Sequence, residues 1–275
     1  REAAFVRSPD ELDELEGAGR LALVHAVEGG FHLPAAPDAA AAAVGELARR
    51  GVAYLTVAHL FHRQVATVAP AIPYLPDDVF HALFPQPPEG LSPTGRAIVQ
   101  AAVRHGVLVD VAHMSDASLE ETFALLDRLD PDREVPVLAS HVGFRFGTQA
   151  YNLPDWAIRE IAARGGVVGL IAATHQLADA APAPGSFDEG MGLLFRHVDA
   201  IADVTGGHEH TAIGTDLGGF IEPLPGLDDV GCLTAVTAAL ERRYGPQDAA
   251  RIASGNVRRL LSEHWGRRPA VSPRA

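Results

Sequence analysis

Apolar positions recur along this chain in two alternating rhythms. Short, nearly continuous apolar runs read as buried strands. They are "LALVHAV" from Leu21, "VAYLTVAH" ending at His59, "VLVDVAH" ending at His113, "VPVLASH" ending at His141, "VVGLIAAT" from Val167 and "TAIGT" from Thr211. Between them lie segments bounded by helix signals. Ser8-Pro9-Asp10-Glu11 is a capping box with proline in the first turn, and it predicts a short helix ending near Gly17. An alanine-rich helix is expected from Asp38 to Arg50, stopped by Gly51. Ser92-Pro93 caps another that ends before Gly106, and Ser115 or Asp116 starts one toward Leu129. Asn152-Leu153-Pro154-Asp155 opens the next, with Gly165 and Gly166 as its stop. A helix from about Gly190 to Val204 and a last pair over Leu227 to Trp265 complete the pattern.

Strand and helix thus alternate, the signature of a parallel α/β fold. The reading yields six strands, and an eight-stranded barrel needs two more. At least one of them is expected upstream of Arg1. No internal repeat or low-complexity linker interrupts the chain, so residues 1–275 read as one domain, with 265–275 as a disordered tail. Two long connections, Leu60 to Gly90 with six prolines and His175 to Glu189, have the length of lids or substrate walls.

The strand ends carry the chemistry. Glu28, His59, His113 and His141 close four successive apolar runs, and Asp216 closes a later one. In a parallel sheet the C-terminal ends converge on one face, where sites form. An acid at the mouth of a buried strand is costly unless something compensates it. Imidazoles and carboxylates gathered there suit zinc or a similar divalent ion. Asp110, inside "VLVDVAH", reads as a group that holds a ligand histidine rather than a ligand. His25 lies mid-strand, and His175 ends a strand where it could line the pocket. His62, His81, His105, His208, His210 and His264 read as loop or helix-surface residues.

Charge and composition narrow the options. A net charge of −13 speaks against a nucleic-acid partner. No apolar run reaches the roughly 18 residues of a membrane helix. A single cysteine, Cys232, excludes a disulfide framework. All 22 basic residues are arginine, which removes lysine chemistry and fits a GC-rich bacterial genome. A bacterial cytoplasmic setting is the expectation.

The chain resembles the membrane dipeptidase (renal dipeptidase) family of zinc peptidases in the amidohydrolase superfamily. The matching stretches are "VEGG" at Val27–Gly30, "YLTVAH" at Tyr54–His59, "GLSPTGRAIV" at Gly90–Val99, "GVLVDVAHMS" at Gly106–Ser115, "PVLASH" at Pro136–His141, "NLPD" at Asn152–Asp155 and "IGTDLGG" at Ile213–Gly219. Each is weak alone, but together, in the family's order, they cover nearly the whole chain.

The resemblance implies a (β/α)8 TIM-type barrel, here lacking its first strand, with a two-metal zinc site. It implies that Glu28 bridges the metals, that His113 and His141 bind the second of them, and that His59 contacts substrate near the scissile bond. Asp216 would handle the proton. The implied reaction is hydrolysis of a dipeptide by a metal-bridged hydroxide. Two departures stand out. The family's first strand, which carries a His-x-Asp pair for the first metal, would precede Arg1, and no such pair is expected within this chain. The family also places arginine before "NLPD", where this chain has Ala150 and Tyr151, so Arg145 and Tyr151 become the expected substrate-binding groups. The alternatives are a catalytically silent or single-metal binding relative, or an amidohydrolase acting on another small amide or a lactone. A small dipeptide and a second copy in a homodimer are the expected partners.

Overall fold

A computed structural model describes residues 2–179 and 181–267. In chain order the strands are β1 (Ala3–Val6), β2 (Leu21–Glu28), β3 (Val52–Thr56), β4 (Leu108–Asp110), β5 (Val137–Val142), β6 (Val167–Leu170) and β7 (Thr211–Ile213). The helices are α1 (Pro9–Gly17), α2 (Pro37–Arg49), α3 (Asp77–Leu83), α4 (Pro93–His105), α5 (Asp116–Leu129), α6 (Asp155–Ala163), α7 (Thr174–Leu177), α8 (Phe187–Thr205), α9 (Leu233–Ala250) and α10 (Asn256–His264). The chain divides into two compact units. Of the described residues, one comprises 2–68, 86–137 and 259–267; the other comprises 69–85, 138–179 and 181–258.

In the first unit β1, β2, β3 and β4 pair in sequence order, all parallel. Helices α2 and α4 pack on one another, with Gly45 of α2 taking the His105 ring of α4 so closely that a Cβ would lie 3.0 Å from Nε2. The core there is aliphatic and fully buried: Leu55, Ile98, Val109 and Leu119. The serine caps expected from sequence are present. The Oγ atoms of Ser8, Ser92 and Ser115 accept from the backbone N–H groups of Glu11, Gly95 and Ser118. Each fixes a helix N-terminus directly after a strand or loop and so sets where the next strand begins.

In the second unit β5, β6 and β7 are parallel neighbours. The β5–β6 register shifts between Ala139 and Val142, a bulge that contains Ser140 and His141. Its bulged carbonyl explains two glycines. A Cβ on Gly169 would lie 2.1 Å from Ser140 O, and one on Gly214 only 1.8 Å from the same atom. Substituting Gly214 with alanine should therefore cost about 2 kcal/mol, the scale of overpacking a filled site, and displace His141 with Ser140. Urea titration of the variant checks this.

Six of the strands match the apolar runs read from sequence. The seventh, β1, was not expected: "AAFV" is short, and Val6 is its single buried residue. The strands also stop earlier than the runs. β3 ends at Thr56 and β4 at Asp110, so His59 and His113 sit three residues beyond the strands that aim them. The first long connection contains α3, and Ser186, whose Oγ accepts from Glu189 N, starts α8 ahead of Gly190. The final helical stretch is broken at Gly245, with φ of 79°, next to Pro246. Of the expected tail, Trp265 is buried and Gly266 N donates to Gly106 O at 3.0 Å. Residues 268–275 lie outside the described residues.

Candidate functional site

Register explains why the candidate groups of the first unit meet. Glu28 pairs with Thr56, and Thr56 pairs with Asp110. Beyond those paired positions the chain repeats itself: Thr56-Val57-Ala58-His59 runs beside Asp110-Val111-Ala112-His113. Thr56 Oγ1 donates to Asp110 Oδ2 at 2.5 Å, and Asp110 Oδ1 accepts from Ala112 N at 3.0 Å. Asp110 is fully buried and organises both segments.

The result is a compact cluster. His113 Nε2 lies 3.2 Å from Glu28 Oε1 and His59 Nε2 lies 3.4 Å from Glu28 Oε2. The two imidazoles meet edge to face with centroids 4.7 Å apart. Each oxygen of one carboxylate thus faces a separate ring nitrogen. Glu28 is held there by the two glycines that follow it. Gly29 N and Gly30 N continue the ladder to Thr56 O and Val57 O at 2.9 and 3.0 Å. Gly29 has φ of 95°, and a Cβ on Gly30 would lie 2.9 Å from Val57 O. His113 itself has φ of 65°, the left-handed region that a residue with a side chain enters at a cost.

In the second unit His141 sits in the β5 bulge. Its Nδ1 is 2.6 Å from Ser140 Oγ, and its backbone carbonyl accepts from Tyr151 Oη at 2.8 Å. Tyr151 is buried. Arg145 donates from Nε to Asn152 O at 2.7 Å and from Nη2 to Ala150 O at 2.8 Å. Both expected substrate groups thus give donors to the backbone of the segment around the β5 end. Asn152, the first residue of "NLPD", is fully buried and donates to Gln176 O, so that motif ties the β5 loop to α7.

Asp216 follows β7 with φ of 58°. Ala172 N donates to Thr215 O, and Gly219 N to Asp216 O at 3.0 Å. A Cβ on Gly219 would lie 2.3 Å from Asp216 Oδ1, so the carboxylate folds back over its own turn. His175 lies in α7 and lines a pocket of about 620 Å3 with Thr148, Gln149 and Asp77; burial lowers its pKa.

The chain does contain one His-x-Asp, His197-Val198-Asp199, where none was expected. It lies on α8, not on a strand. Asp199 faces Arg243 and Tyr244. His197 is fully buried, accepts at Nδ1 from Phe144 N at 2.8 Å and donates from Nε2 to Leu177 O at 2.9 Å. Burial pushes its pKa from 6.5 down to about 4. Its neutral form is the one the fold stabilises. That contribution is complete above the unfolded-state value and is lost as pH falls from 6.5 toward 4. The loss should reach about 3 kcal/mol. Urea unfolding at the two ends of this window should show that much less sensitivity in His197→Gln.

Within the first unit, the Glu28 carboxylate thus gathers the imidazoles of His113 and His59 at 3.2 and 3.4 Å. One carboxylate with two imidazoles is a donor set that zinc accepts. The profile of the membrane dipeptidase family, peptidase family M19, matches residues 1–268. This chain belongs to that family.

Among curated relatives, the dipeptidase verJ of Clonostachys rogersoniana is 28% identical over 240 residues, covering 87% of this chain and 54% of its own length. The dipeptidase tcpJ of Claviceps purpurea is 27% identical over 221 residues, covering 78% and 45%. The chain thus spans about half the length of the curated relatives it matches. A metallo peptidase from Rhodobacter sphaeroides, solved with a phosphinate mimic of the dipeptide L-Ala-D-Ala, superposes with a TM-score of 0.75 at 23% identity, over 96% of this chain and 69% of that one. The probable dipeptidase PvdM from Pseudomonas aeruginosa gives 0.74 at 22% identity, over 95% and 74%. The likeness establishes the fold. It is the family's α/β barrel of the TIM type, with seven parallel strands among the described residues. Membership in a metallopeptidase family implies a divalent ion. No helix among the described residues is long and apolar enough to cross a membrane.

Proposed function

We propose that this chain carries metal-dependent dipeptidase chemistry, with Glu28, His113 and His141 as ligands of zinc. The observation that supports it best is the Glu28 carboxylate, each of whose oxygens faces an imidazole nitrogen. That geometry leaves the carboxylate able to serve two cations at once, so a second ion sharing Glu28 belongs to the reading. A divalent ion bound there supplies Lewis acidity toward a peptide carbonyl and a water of lowered pKa.

The protein's own groups do the rest. His59 points Nε2 at the spot that Glu28 marks, where an N–H can stabilise negative charge developing on the carbonyl oxygen. Asp216 accepts the proton of the attacking water at a carboxylate oxygen and returns it to the leaving amine. Arg145 and Tyr151 shape the substrate side of the segment after β5. The all-arginine composition fits a GC-rich bacterial genome, and the exposed Phe5, Leu21 and Leu23 of β1 and β2 offer a face for a homodimer.

The test is turnover of a dipeptide panel, including peptides with a D-residue at the C-terminal position. Activity should vanish with a chelator and return with zinc. Absence of turnover toward every dipeptide, with metal loaded, would favour a silent binding relative instead.

A further inference from the structure

Resting on the dipeptidase reading, we propose that Arg63 is the group that binds the free carboxylate of the peptide. A dipeptide carries that charge within roughly 7 Å of backbone from its other end, so a peptidase centre needs a cation close by. Arg145 is an unsuitable source, because its Nε and one terminal nitrogen already hold the carbonyls of Asn152 and Ala150.

Arg63 is differently placed. The Phe31 ring stacks on His59 with centroids 6.0 Å apart and planes 14° from parallel. The Arg63 guanidinium lies over that same Phe31 ring, 4.3 Å from its centroid, and 5.6 Å from the centroid of Phe61. A cation therefore stands two ring contacts from the imidazole that faces Glu28. Phe31 and Phe61 hold the plane of the guanidinium and leave its N–H edge for a ligand. Arg63 is exposed, and no carboxylate among the described residues pairs with it.

The backbone around it is costly and pinned. Leu60, Arg63 and Gln64 all have positive φ, at 46°, 40° and 62°. Three such residues within five positions are strained, and strain of this kind persists where surrounding structure enforces it. The enforcement is visible. Ser92 Oγ, the cap of α4, donates to Gln64 O at 2.7 Å, and Ser92 N donates to Val65 O at 3.0 Å. A Cβ on Gly95 would lie 2.2 Å from Val65 O, so the glycine in "SPTG" admits the turn. The cap that starts α4 thus also sets the direction in which Arg63 leaves the chain. A carboxylate clamp needs that rigidity, since a misdirected guanidinium loses its paired hydrogen bonds.

The test compares Ala-D-Ala and Ala-Ala with their C-terminal amides, in the native chain and in Arg63→Ala and Arg63→Lys. The native chain should favour the free acids by at least about 10-fold in kcat/KM, and Arg63→Ala should compress that ratio to within about 3-fold, with lysine between. Affinity for a phosphinate dipeptide mimic with a free carboxylate should fall about 10-fold in Arg63→Ala, and affinity for its amide should not change. No preference for acid over amide in the native chain overturns the proposal. So does an equal loss for acid and amide in Arg63→Ala, which would mean that Arg63 only steadies Phe31. If no dipeptide is turned over, the dipeptidase reading fails, and phosphinate binding alone then decides Arg63: loss confined to the free acid supports it, and no loss or no binding overturns it.

Discussion

Glu28→Gln should lower kcat toward dipeptides by roughly 10³-fold, at the upper end of what one preorganised electrostatic group contributes, and should strip zinc from the chain. The substitution keeps the size of the side chain and its hydrogen-bonding reach. It removes the negative charge that His59 and His113 both face, at 3.4 and 3.2 Å. A neutral amide cannot share two cations, and it turns one donor face toward an imidazole that already needs an acceptor. The fold should survive, because Glu28 is held through the backbone N–H groups of Gly29 and Gly30 rather than through its carboxyl group. Zinc content by mass spectrometry and kcat on a common dipeptide measure the two effects. Retained zinc with unchanged kcat would remove Glu28 from the centre.

Much of this cluster was legible in the chain because it depends on short-range repetition. The "VAH" endings of two neighbouring runs are offset by one strand-to-strand step, so parallel pairing of Thr56 with Asp110 is enough to bring His59 beside His113. Only the last step was misplaced, since both histidines lie beyond the strands, in turns shaped by Asp110. Strand β1 was invisible for a physical reason. It has four residues, all apolar and only Val6 buried, so neither period-2 alternation nor a buried run marks it. His197 escaped notice because one histidine within an amphipathic helix carries no pattern; its burial comes from the loop carrying Phe144 and from α7, which are distant in sequence. The backbone hydrogen bonds of Arg145 and Tyr151 were unreadable for a similar reason. A polar tip after a strand can point to a ligand or back to the chain, and which it does depends on how the following loop closes.

Asp216→Asn should lower kcat by roughly 10²- to 10⁴-fold, the range for loss of a general acid–base group, while zinc content persists. The structure sharpens the competing reading, in which Asp216 is a turn residue. Its φ of 58° and the Gly219 N–H bonded to its carbonyl are turn features, and asparagine tolerates both as well as aspartate does. The substitution is therefore nearly silent in the backbone, which makes it a clean probe of the carboxylate alone. If Asp216 serves only the turn, turnover should stay within a few-fold and stability should change by less than about 1 kcal/mol. A second variant separates position from charge. Gly219→Ala keeps the carboxylate but sets a Cβ where Oδ1 now lies, 2.3 Å away, so the carboxylate must rotate off its turn. Under the shuttle assignment Gly219→Ala also slows turnover, though less than Asp216→Asn, and the pH profile of kcat shifts because the same acid titrates in a changed setting. Under the turn assignment neither variant moves the pH profile. A full-activity Asn variant with an unmoved profile would end the shuttle role for Asp216.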